Sequence, residues 1–175
     1  KNNIVVTGGN SRFAKILKKK FNGKKIIYTN KDDLNILDID SIERSLKKYK
    51  PKYLIHLASL SRPMEIHEKN ISLSIDTNIV GTANIVKKCA EKNIKLIYFS
   101  TAYVYPGRRG NYSEDDSLKP INNYAWSKLG GECSVQMLKN SLILRLAMTD
   151  YPFSYKRAIK NAFSSFIYNK DFAKL

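Results

Sequence analysis

Residues that bind metals or form disulfides are scarce in this chain, which holds two cysteines and two histidines among 175 residues. Cys89 and Cys133 are far apart, and neither belongs to a C-x-x-C pair. This spacing argues against a structural zinc site and against a disulfide-stabilised secreted scaffold. We therefore expect no metal site, and reduced thiols in a cytoplasmic protein. A chain of this length can bury a core without either kind of cross-link.

Long hydrophobic runs are lacking as well. No apolar run approaches the roughly 18 residues that a membrane-spanning helix requires, and the first residues form a strand pattern rather than a signal peptide. The sequence thus predicts no membrane partner. Because Lys1 stands where a methionine would and the strand begins almost at once, we expect the natural chain to extend further at its amino terminus.

Acidic residues are few, with 15 Asp and Glu against 31 Lys and Arg and a formal net charge of +16. Such an excess raises the question of nucleic-acid binding. However, 24 of the 31 basic residues are lysines spread along the whole chain, whereas phosphate and base recognition favours forked arginines interleaved with aromatic residues. We expect a solvated, lysine-rich surface and no nucleic-acid partner.

Short apolar runs alternate with amphipathic stretches along the sequence. Strands that alternate with helices predict a parallel sheet with right-handed crossovers, and the continuous apolar character of the strands indicates that both faces are covered. The expected fold is α/β, a Rossmann-like doubly wound parallel sheet, in which ligands bind at the carboxyl edge. We expect strands at residues 4–6, 25–28, 53–57, 95–100 and 141–146, and helices at residues 11–20, 41–49, 72–92 and 124–139.

A glycine-containing turn follows the first predicted strand and precedes the first helix, as a dinucleotide-binding fingerprint requires. In such a turn, backbone N–H groups and the helix amino terminus face a pyrophosphate. The G-x-x-G-x-x-G spacing falls on Gly8, Ser11 and Ala14. Ala14 is a mild change, but the Cβ atom of Ser11 stands where the backbone approaches phosphate. The turn is therefore either a nucleotide site or a plain connection between strand and helix.

The residues after the second predicted strand bear on which nucleotide would bind. An acid at this point would accept a hydrogen bond from the ribose 2′-hydroxyl and repel a 2′-phosphate. Here the chain continues with Asn30 and Lys31, and the first acid is Asp32. Lys31 and Arg12 could both meet a 2′-phosphate, which favours NADP modestly over NAD. The alternative is that Lys31 is one more surface lysine.

Tyr124 and Lys128 are spaced by one helical turn, so their side chains lie on the same helix face. A phenol has an ordinary pKa of about 10, and a nearby ammonium favours its phenolate form. Thr101 ends the fourth predicted strand at the edge of the sheet, where its hydroxyl could bond a substrate carbonyl beside the phenol. Alone, the tyrosine and lysine would be a surface pair; with the nucleotide turn and Thr101 they predict a hydride-transfer site.

Further segments resemble those of one known family, the extended short-chain dehydrogenase/reductases, which include NAD-dependent epimerases and dehydratases. Within that family the chain is similar to sugar-nucleotide enzymes of the dTDP-4-dehydrorhamnose reductase type. Residues 120–128, followed by Gly131 and Glu132, form the most specific block. The other matching segments are residues 37–40, 56–59, 78–84 and 100–105.

The resemblance implies roles for individual residues. Tyr124 would donate or accept a proton at a sugar carbonyl or hydroxyl, Lys128 would be its electrostatic partner and ribose anchor, and Thr101 would be the second hydrogen-bond donor. Asn78 would support the site through its backbone and water, and Asp38 would contact the adenine. The residues expected at the cofactor are Gly8, Ser11, Arg12, Phe13, Asn30, Lys31, Asp38, Ile39, Leu57, Ala58, Ser59, Tyr124 and Lys128.

By the same resemblance, the chain is expected to be an NAD(P)-dependent oxidoreductase acting on a nucleotide-activated sugar, most like a 4-keto reductase. Dehydration is disfavoured, because Ala102 and Tyr103 occupy positions that are acidic in the 4,6-dehydratases. A C4 epimerase remains an alternative. So does a non-catalytic protein that senses NAD(P), which Ser11 and an incomplete substrate lobe would suit.

Residues 1–150 are expected to form the dinucleotide-binding domain, and residues 151–175 the start of a truncated substrate-binding lobe. The helices at 72–92 and 124–139 correspond to those that pair in family homodimers. His56 is expected to be a satisfied strand-end residue and His67 to lie on a solvent-facing segment. Arg108 and Arg109 could meet the diphosphate of a substrate, although a solvated loop tip is the preferred interpretation.

Overall fold

Five parallel strands form the central sheet, in the order β2-β1-β3-β4-β5. The computed structural model describes residues 3–22, 24–152 and 165–175. The chain winds to one side of β1 and then crosses to the other, so the carboxyl ends of β1 and β3 flank a topological switch point. The predicted doubly wound α/β fold is confirmed. The strands are β1 (Asn3–Thr7), β2 (Ile26–Tyr28), β3 (Pro51–His56), β4 (Lys95–Thr101) and β5 (Ser141–Leu146).

The core lies across the central strands. Val5, Leu54 and Leu96 stand in register on β1, β3 and β4 and have no exposed surface. Burying one such side chain stabilises the fold by roughly 1.5–3 kcal/mol. Helix residues such as Ile42 and Ile85 close the same cluster. These strands are therefore covered by helices, as their uniformly apolar sequences predict.

Helices α1 (Arg12–Lys20), α2 (Ile39–Tyr49) and α6 (Asn123–Gln136) begin where the sequence supplies a side-chain cap. Ser11, Asp38 and Asn122 each accept a hydrogen bond from a backbone N–H of the first helical turn. These are the residue types that satisfy the unpaired N–H groups at a helix start. All three capped helices carry candidate site residues in their first turns or at their caps.

The prediction of one continuous α-helix at residues 72–92 is wrong, because a π-helical turn interrupts it. The chain forms α4 (Ile71–Ile75), a π-helical turn (Asp76–Val80) and α5 (Gly81–Glu91), and α4 is preceded by a short unpredicted helix, α3 (Ile66–Lys69). A π-helical turn holds an extra residue and is often found at functional sites. This one carries Asn78, whose side chain has partners outside the helix.

A second apolar cluster lies between α1 and the last described segment of the chain. That segment contains β7 (Ile167–Tyr168), which pairs with β6 (Met148–Thr149), and α7 (Asn169–Phe172). The rings of Phe13, Phe99 and Phe172 pack together with centroids 5.5–5.7 Å apart. The division expected at residue 150 stays a prediction, and residues 153–164 of its second part lie outside the described residues.

Across the described ranges, none of the helices combines the length and the apolar character needed to cross a bilayer.

Candidate functional site

Gly8 shapes the turn after β1 at the switch point of the sheet. Its φ of +66° is one that side chains with a Cβ atom rarely adopt, and a Cβ added there would lie 2.7 Å from the backbone nitrogen of Ala58. Only glycine therefore lets the turn after β1 pass so close to the segment after β3. The Thr7 hydroxyl accepts a hydrogen bond from that same nitrogen, at 3.2 Å. The two strand ends are thus held together beside the start of α1.

Ser11 departs from the glycine pattern in a way that the structure explains. Its Oγ accepts a hydrogen bond from the backbone N–H of Ala14 at 3.2 Å, so the side chain caps α1. The Ser11 N–H itself donates to the carbonyl oxygen of Gly8 at 2.9 Å. The turn keeps its shape, but one N–H group of the helix start is already used by a side chain instead of facing an incoming phosphate.

The two basic residues predicted to meet a 2′-phosphate, Arg12 and Lys31, have different surroundings in the structure. Arg12 forms an ion pair with Asp150, with Nη1 2.8 Å from Oδ2, and Asp150 also accepts a hydrogen bond from Asn169. Lys31 is exposed. The Asn30 side chain accepts hydrogen bonds from the two backbone N–H groups after Lys31, which fixes the turn that follows β2. The contact of these residues with a cofactor stays a prediction.

Asp38 and Ile39 lie at the start of α2. One Asp38 carboxylate oxygen accepts hydrogen bonds from the N–H groups of Asp40 and Ser41, at 2.9 and 3.1 Å, and therefore caps the helix. The Ile39 side chain is exposed. Capping accounts for the acid at position 38, so its contact with an adenine stays a prediction.

Of the cofactor-lining residues expected near β3, Leu57 and Ala58 are partly buried and Ser59 is exposed. The Leu57 side chain packs against the cluster around Phe13. Phe13 itself is 8% exposed. The Phe13 ring packs against Phe99 and Phe172, and the contact of this residue with a cofactor stays a prediction.

Thr101 and Tyr124 come together at the carboxyl end of β4. The Thr101 hydroxyl lies close enough to the Tyr124 phenol to lower its pKa, and it accepts a hydrogen bond from the backbone N–H of Tyr103 at 3.3 Å. The Tyr103 ring meets the Tyr124 ring edge-on, with centroids 6.4 Å apart. Thr101 is buried and Tyr124 is half-buried. The structure thus brings the predicted hydroxyl and phenol to one point.

The Tyr124 phenol does not have the low pKa that the sequence suggests. Burial raises its pKa above the ordinary value, while the neighbouring Thr101 hydroxyl and the positive charge of Arg62 act to lower it. The net effect is a raised pKa. The phenol therefore carries its proton at neutral pH, and the phenolate expected from the spacing with Lys128 is wrong for this state of the site.

Lys128 is buried, with 4% of its surface exposed. Its Nζ atom lies 4.2 Å from the centroid of the Tyr98 ring, and the Tyr98 hydroxyl donates to the Lys128 carbonyl oxygen at 3.1 Å. Burial lowers the pKa of Lys128 to about 7, and the negative charge of Glu132 opposes that change. Near neutral pH this side chain is thus poised between its charged and neutral forms.

Asn78 links three parts of the site through its side chain. The amide exchanges two hydrogen bonds with the backbone of Leu60, both 2.8 Å long, and donates a third to Ser127 Oγ at 2.8 Å. Ser127 in turn donates to the Tyr124 carbonyl oxygen at 2.7 Å. Asn78 therefore supports the helical turn that carries Tyr124; the expected route through its backbone and water stays a prediction.

The structure confirms the expectation for one of the two histidines and contradicts it for the other. His56 is buried and hydrogen-bonds with Thr7 and Thr82, and burial lowers its pKa to about 3, so its interpretation as a satisfied residue is confirmed. The solvent-facing position expected for His67 is wrong. Its ring is fully buried, hydrogen-bonds with Ser74 and lies 5.1 Å from the Tyr124 ring.

Two arginines of the long loop after β4 lie where the sequence favoured them, at an exposed tip. The Arg109 guanidinium pairs with Asp116 and lies 4.9 Å from the centroid of the Tyr112 ring. The backbone N–H groups of Arg108 and Arg109 both donate to the Tyr112 hydroxyl. These contacts hold the tip together without a substrate.

Sequence reasoning missed a buried ion pair behind the site. Glu132, 1% exposed, accepts hydrogen bonds from Arg145 on β5 and from Ser100, the neighbour of Thr101. One signal was available, because Glu132 follows Lys128 by one helical turn and so lies on the same face of α6. The arginine could not be paired with it from sequence, since the two residues come from different elements.

Comparison with known proteins shows which sequences this chain is similar to. A family profile described as the RmlD substrate binding domain matches residues 2–166. The chain is 35% identical over 114 residues to methionine adenosyltransferase 2 subunit beta of Xenopus laevis, covering 65% of this chain and 34% of that protein. It is 26% identical over 151 residues to dTDP-4-dehydrorhamnose reductase of Aggregatibacter actinomycetemcomitans, covering 83% and 51%.

Among solved structures, the chain is similar to dTDP-4-dehydrorhamnose reductase of Bacillus anthracis, crystallised with NADP. The TM-score is 0.78 and the identity 29%, over 85% of this chain and 55% of that one. The chain thus spans about half or less of the length of these relatives.

Proposed function

The chain belongs to the RmlD substrate binding domain family, and we propose that it is an NADP-dependent oxidoreductase that reduces the 4-keto group of a nucleotide-activated sugar. The observation that carries this proposal is the placement of the Thr101 hydroxyl beside the Tyr124 phenol at the carboxyl edge of the sheet. It puts two hydroxyl groups at the edge where open α/β sheets bind ligands. The Bacillus anthracis relative is a reductase crystallised with NADP, which supports the same reaction class.

In this proposal Tyr124 donates its proton to the sugar carbonyl oxygen, and Thr101 donates a second hydrogen bond to that oxygen. The raised pKa of Tyr124 keeps the phenol protonated before reaction. Lys128, one turn along α6, supplies positive charge next to the developing phenolate when it is protonated. A nicotinamide cofactor would supply the hydride.

The residues around the switch point fit such a cofactor. Gly8 brings the backbone of the first turn close to the segment after β3, and the amino terminus of α1 faces the carboxyl edge, where its dipole favours a phosphate. Lys31 and Asn30 follow β2, at the place where the ribose of a dinucleotide is read. No acid stands at the end of β2, which supports NADP over NAD.

The protonated phenol favours ketone reduction over epimerisation as the first chemical step. An epimerase starts by removing a proton from an alcohol, which requires the phenolate form of the base. Burial raises the pKa of Tyr124 by more than its neighbours Thr101 and Arg62 lower it. A C4 epimerase is therefore the weaker of the two enzymatic proposals.

One observation favours a second candidate, a non-catalytic nucleotide-binding subunit. The chain is 35% identical to methionine adenosyltransferase 2 subunit beta of Xenopus laevis over 65% of its length. The Ser11 cap, which occupies an N–H of the phosphate turn, also suits a protein that binds a dinucleotide weakly.

A single assay separates these functions. Purified protein is mixed with NADPH and dTDP-4-dehydrorhamnose, and NADPH consumption and the sugar product are followed by absorbance and mass spectrometry. Consumption that depends on the sugar nucleotide supports the reductase. Saturable NADPH binding, seen in the fluorescence of Trp126, without consumption supports the binding subunit. Absence of both overturns the two proposals together.

A second copy of the chain is proposed as a partner. Ile71 and Ile75 on α4 and Trp126 on α6 are exposed apolar side chains, and they border a cavity of about 430 Å³ together with Ile79 and Leu129. Two such faces would bury each other's apolar surface. Light scattering of the purified protein tests this; a monomer whose mass is unaffected by Trp126→Asp contradicts it.

A further inference from the structure

Glu132 is the most completely enclosed acid next to the candidate site. One carboxylate oxygen accepts the Ser100 hydroxyl at 2.5 Å, and the other accepts Arg145 Nε at 3.0 Å and Nη2 at 2.6 Å. The carboxylate is thus bonded to β4 and β5 while its own backbone lies in α6. Ser100 directly precedes Thr101, so this contact ties the strand end that bears Thr101 to the helix that bears Tyr124.

Arg145 continues the connection away from the sheet. Two nitrogens of its guanidinium are used by Glu132, and the third, Nη1, donates to the Tyr105 hydroxyl at 2.7 Å and to the Glu114 carbonyl oxygen at 3.2 Å. The Tyr105 hydroxyl donates in turn to the Ser113 carbonyl oxygen at 2.9 Å. One arginine therefore reaches two separate points of the loop after β4, residues 105–122.

The planar guanidinium of Arg145 fixes the direction of this connection. A guanidinium presents its N–H groups in one plane with fixed spacing, so engaging Glu132 with one edge determines where the remaining nitrogen points. The Arg145 side chain is 12% exposed, and truncation of either member of a buried pair leaves an uncompensated charge. The loop is thereby anchored to the catalytic helix rather than only to itself.

We propose that Glu132 and Arg145 are positioning residues: Glu132 sets Thr101 against Tyr124, and Arg145 anchors the loop of residues 105–122 over the sugar-nucleotide side of the site. The first half rests on the proposed function, whereas the anchoring of the loop does not. The negative charge of Glu132 also supports the protonated form of Lys128, whose pKa burial lowers.

Limited trypsin digestion tests the anchor without any assay of activity. Arg108 and Arg109 lie at the exposed tip of the loop, so cleavage after them, identified by mass spectrometry, reports how often the loop opens. Tyr105→Phe removes the hydroxyl that joins Arg145 to Ser113 but keeps the ring. We expect it to speed this cleavage by roughly threefold or more. Tyr53→Phe, on the central strand β3, is the matched control and should cleave like the unmodified protein.

Arg145→Lys keeps the charge but not the fork, and it should also speed cleavage at the tip. Since this variant alters a buried pair, its thermal unfolding is measured beside it. If Arg145→Lys does not fold, Tyr105→Phe still decides the matter, because it removes only one hydroxyl. Equal cleavage rates for Tyr105→Phe and the unmodified protein would overturn the anchor.

Kinetics test the positioning itself. Tyr105→Phe should raise KM for dTDP-4-dehydrorhamnose with kcat and NADPH affinity unchanged, whereas Glu132→Gln should lower kcat. A merely structural loss would reduce the active fraction, which lowers kcat in both variants and leaves KM as it was; that result overturns the proposal. If the unmodified protein shows no turnover, the proposed function is wrong. The trypsin experiment still tests the anchoring of the loop, because it requires no activity.

Discussion

The ammonium nitrogen of Lys128 lies 4.2 Å from the centroid of the Tyr98 ring, inside the protein and one helical turn from Tyr124. The aromatic face attracts the cation, but it does not replace the water that burial removes. Glu132, one turn further along α6, is the acid whose charge supports it. The charge on which the proposed chemistry depends is thus maintained by neighbours on the same helix and on β4.

Lys128 should make stability depend on pH. In the folded protein its pKa is about 7, against an ordinary value of 10.5, so between these values the unfolded chain binds more protons than the folded one. Stability should therefore rise with pH across this window. Urea unfolding of the unmodified protein and of Lys128→Met measures it, and the midpoint of the unmodified protein should rise relative to that of the variant between pH 7 and pH 10.5. A constant difference would contradict the lowered pKa.

Tyr124→Phe should abolish most turnover and leave NADPH binding nearly intact, because it removes one hydroxyl and keeps the ring. Loss of a general acid costs about 10²–10⁴-fold in rate. Steady-state kinetics and NADPH titration measure the two effects, with Tyr53→Phe as control. Wild-type turnover in Tyr124→Phe would show that another group donates the proton.

Gly8→Ala should weaken NADPH binding and destabilise the fold, and Gly107→Ala is its matched control. The two glycines have nearly the same φ, +66° and +68°, so both substitutions carry similar backbone strain, about 1 kcal/mol. Only at Gly8 does the new Cβ meet backbone, that of Ala58 at 2.7 Å, whereas nothing lies within 4 Å at Gly107. Urea unfolding should therefore show the larger loss at Gly8; equal losses would mean that the close approach has no cost.

Ser11→Gly should tighten NADPH binding, while Ser11→Ala should not. Both changes remove the cap on α1 and free the Ala14 N–H, but only glycine also removes the Cβ atom from the turn. Loss of the cap costs about 1 kcal/mol of stability with alanine and a few tenths with glycine. Titration with NADPH and thermal unfolding give the two comparisons. Weaker binding by Ser11→Gly would show that the hydroxyl itself contacts the cofactor.

Lys31→Gln should reduce the preference for NADPH over NADH. An exposed lysine beside a 2′-phosphate contributes less than about 1 kcal/mol, so the ratio of the two dissociation constants should change by roughly two- to fivefold. Lys52→Gln, on an exposed position of β3, is the control for the loss of one charge. An unchanged ratio in Lys31→Gln would remove this residue from the cofactor site.

The sequence identified the elements that depend on local pattern. The strands were predicted from their continuous apolar residues, because this pattern depends only on neighbours along the chain. Tyr124 and Lys128 could be put on one helix face for the same reason. His67 was misjudged because its burial comes from α6, which packs against it from a distant part of the sequence.

By itself, then, the sequence determined the doubly wound sheet, the turn at Gly8 and the alignment of a phenol with an ammonium, since periodicity and backbone geometry act over a few residues. Only the tertiary structure decided the protonation of the phenol and the ammonium, and which residues hold them in place. A pKa depends on how much water packing removes, and the partners that join Glu132 to Arg145 or Asn78 to Leu60 come from separate elements. The contacts between these elements form only once the sheet and the helices have assembled.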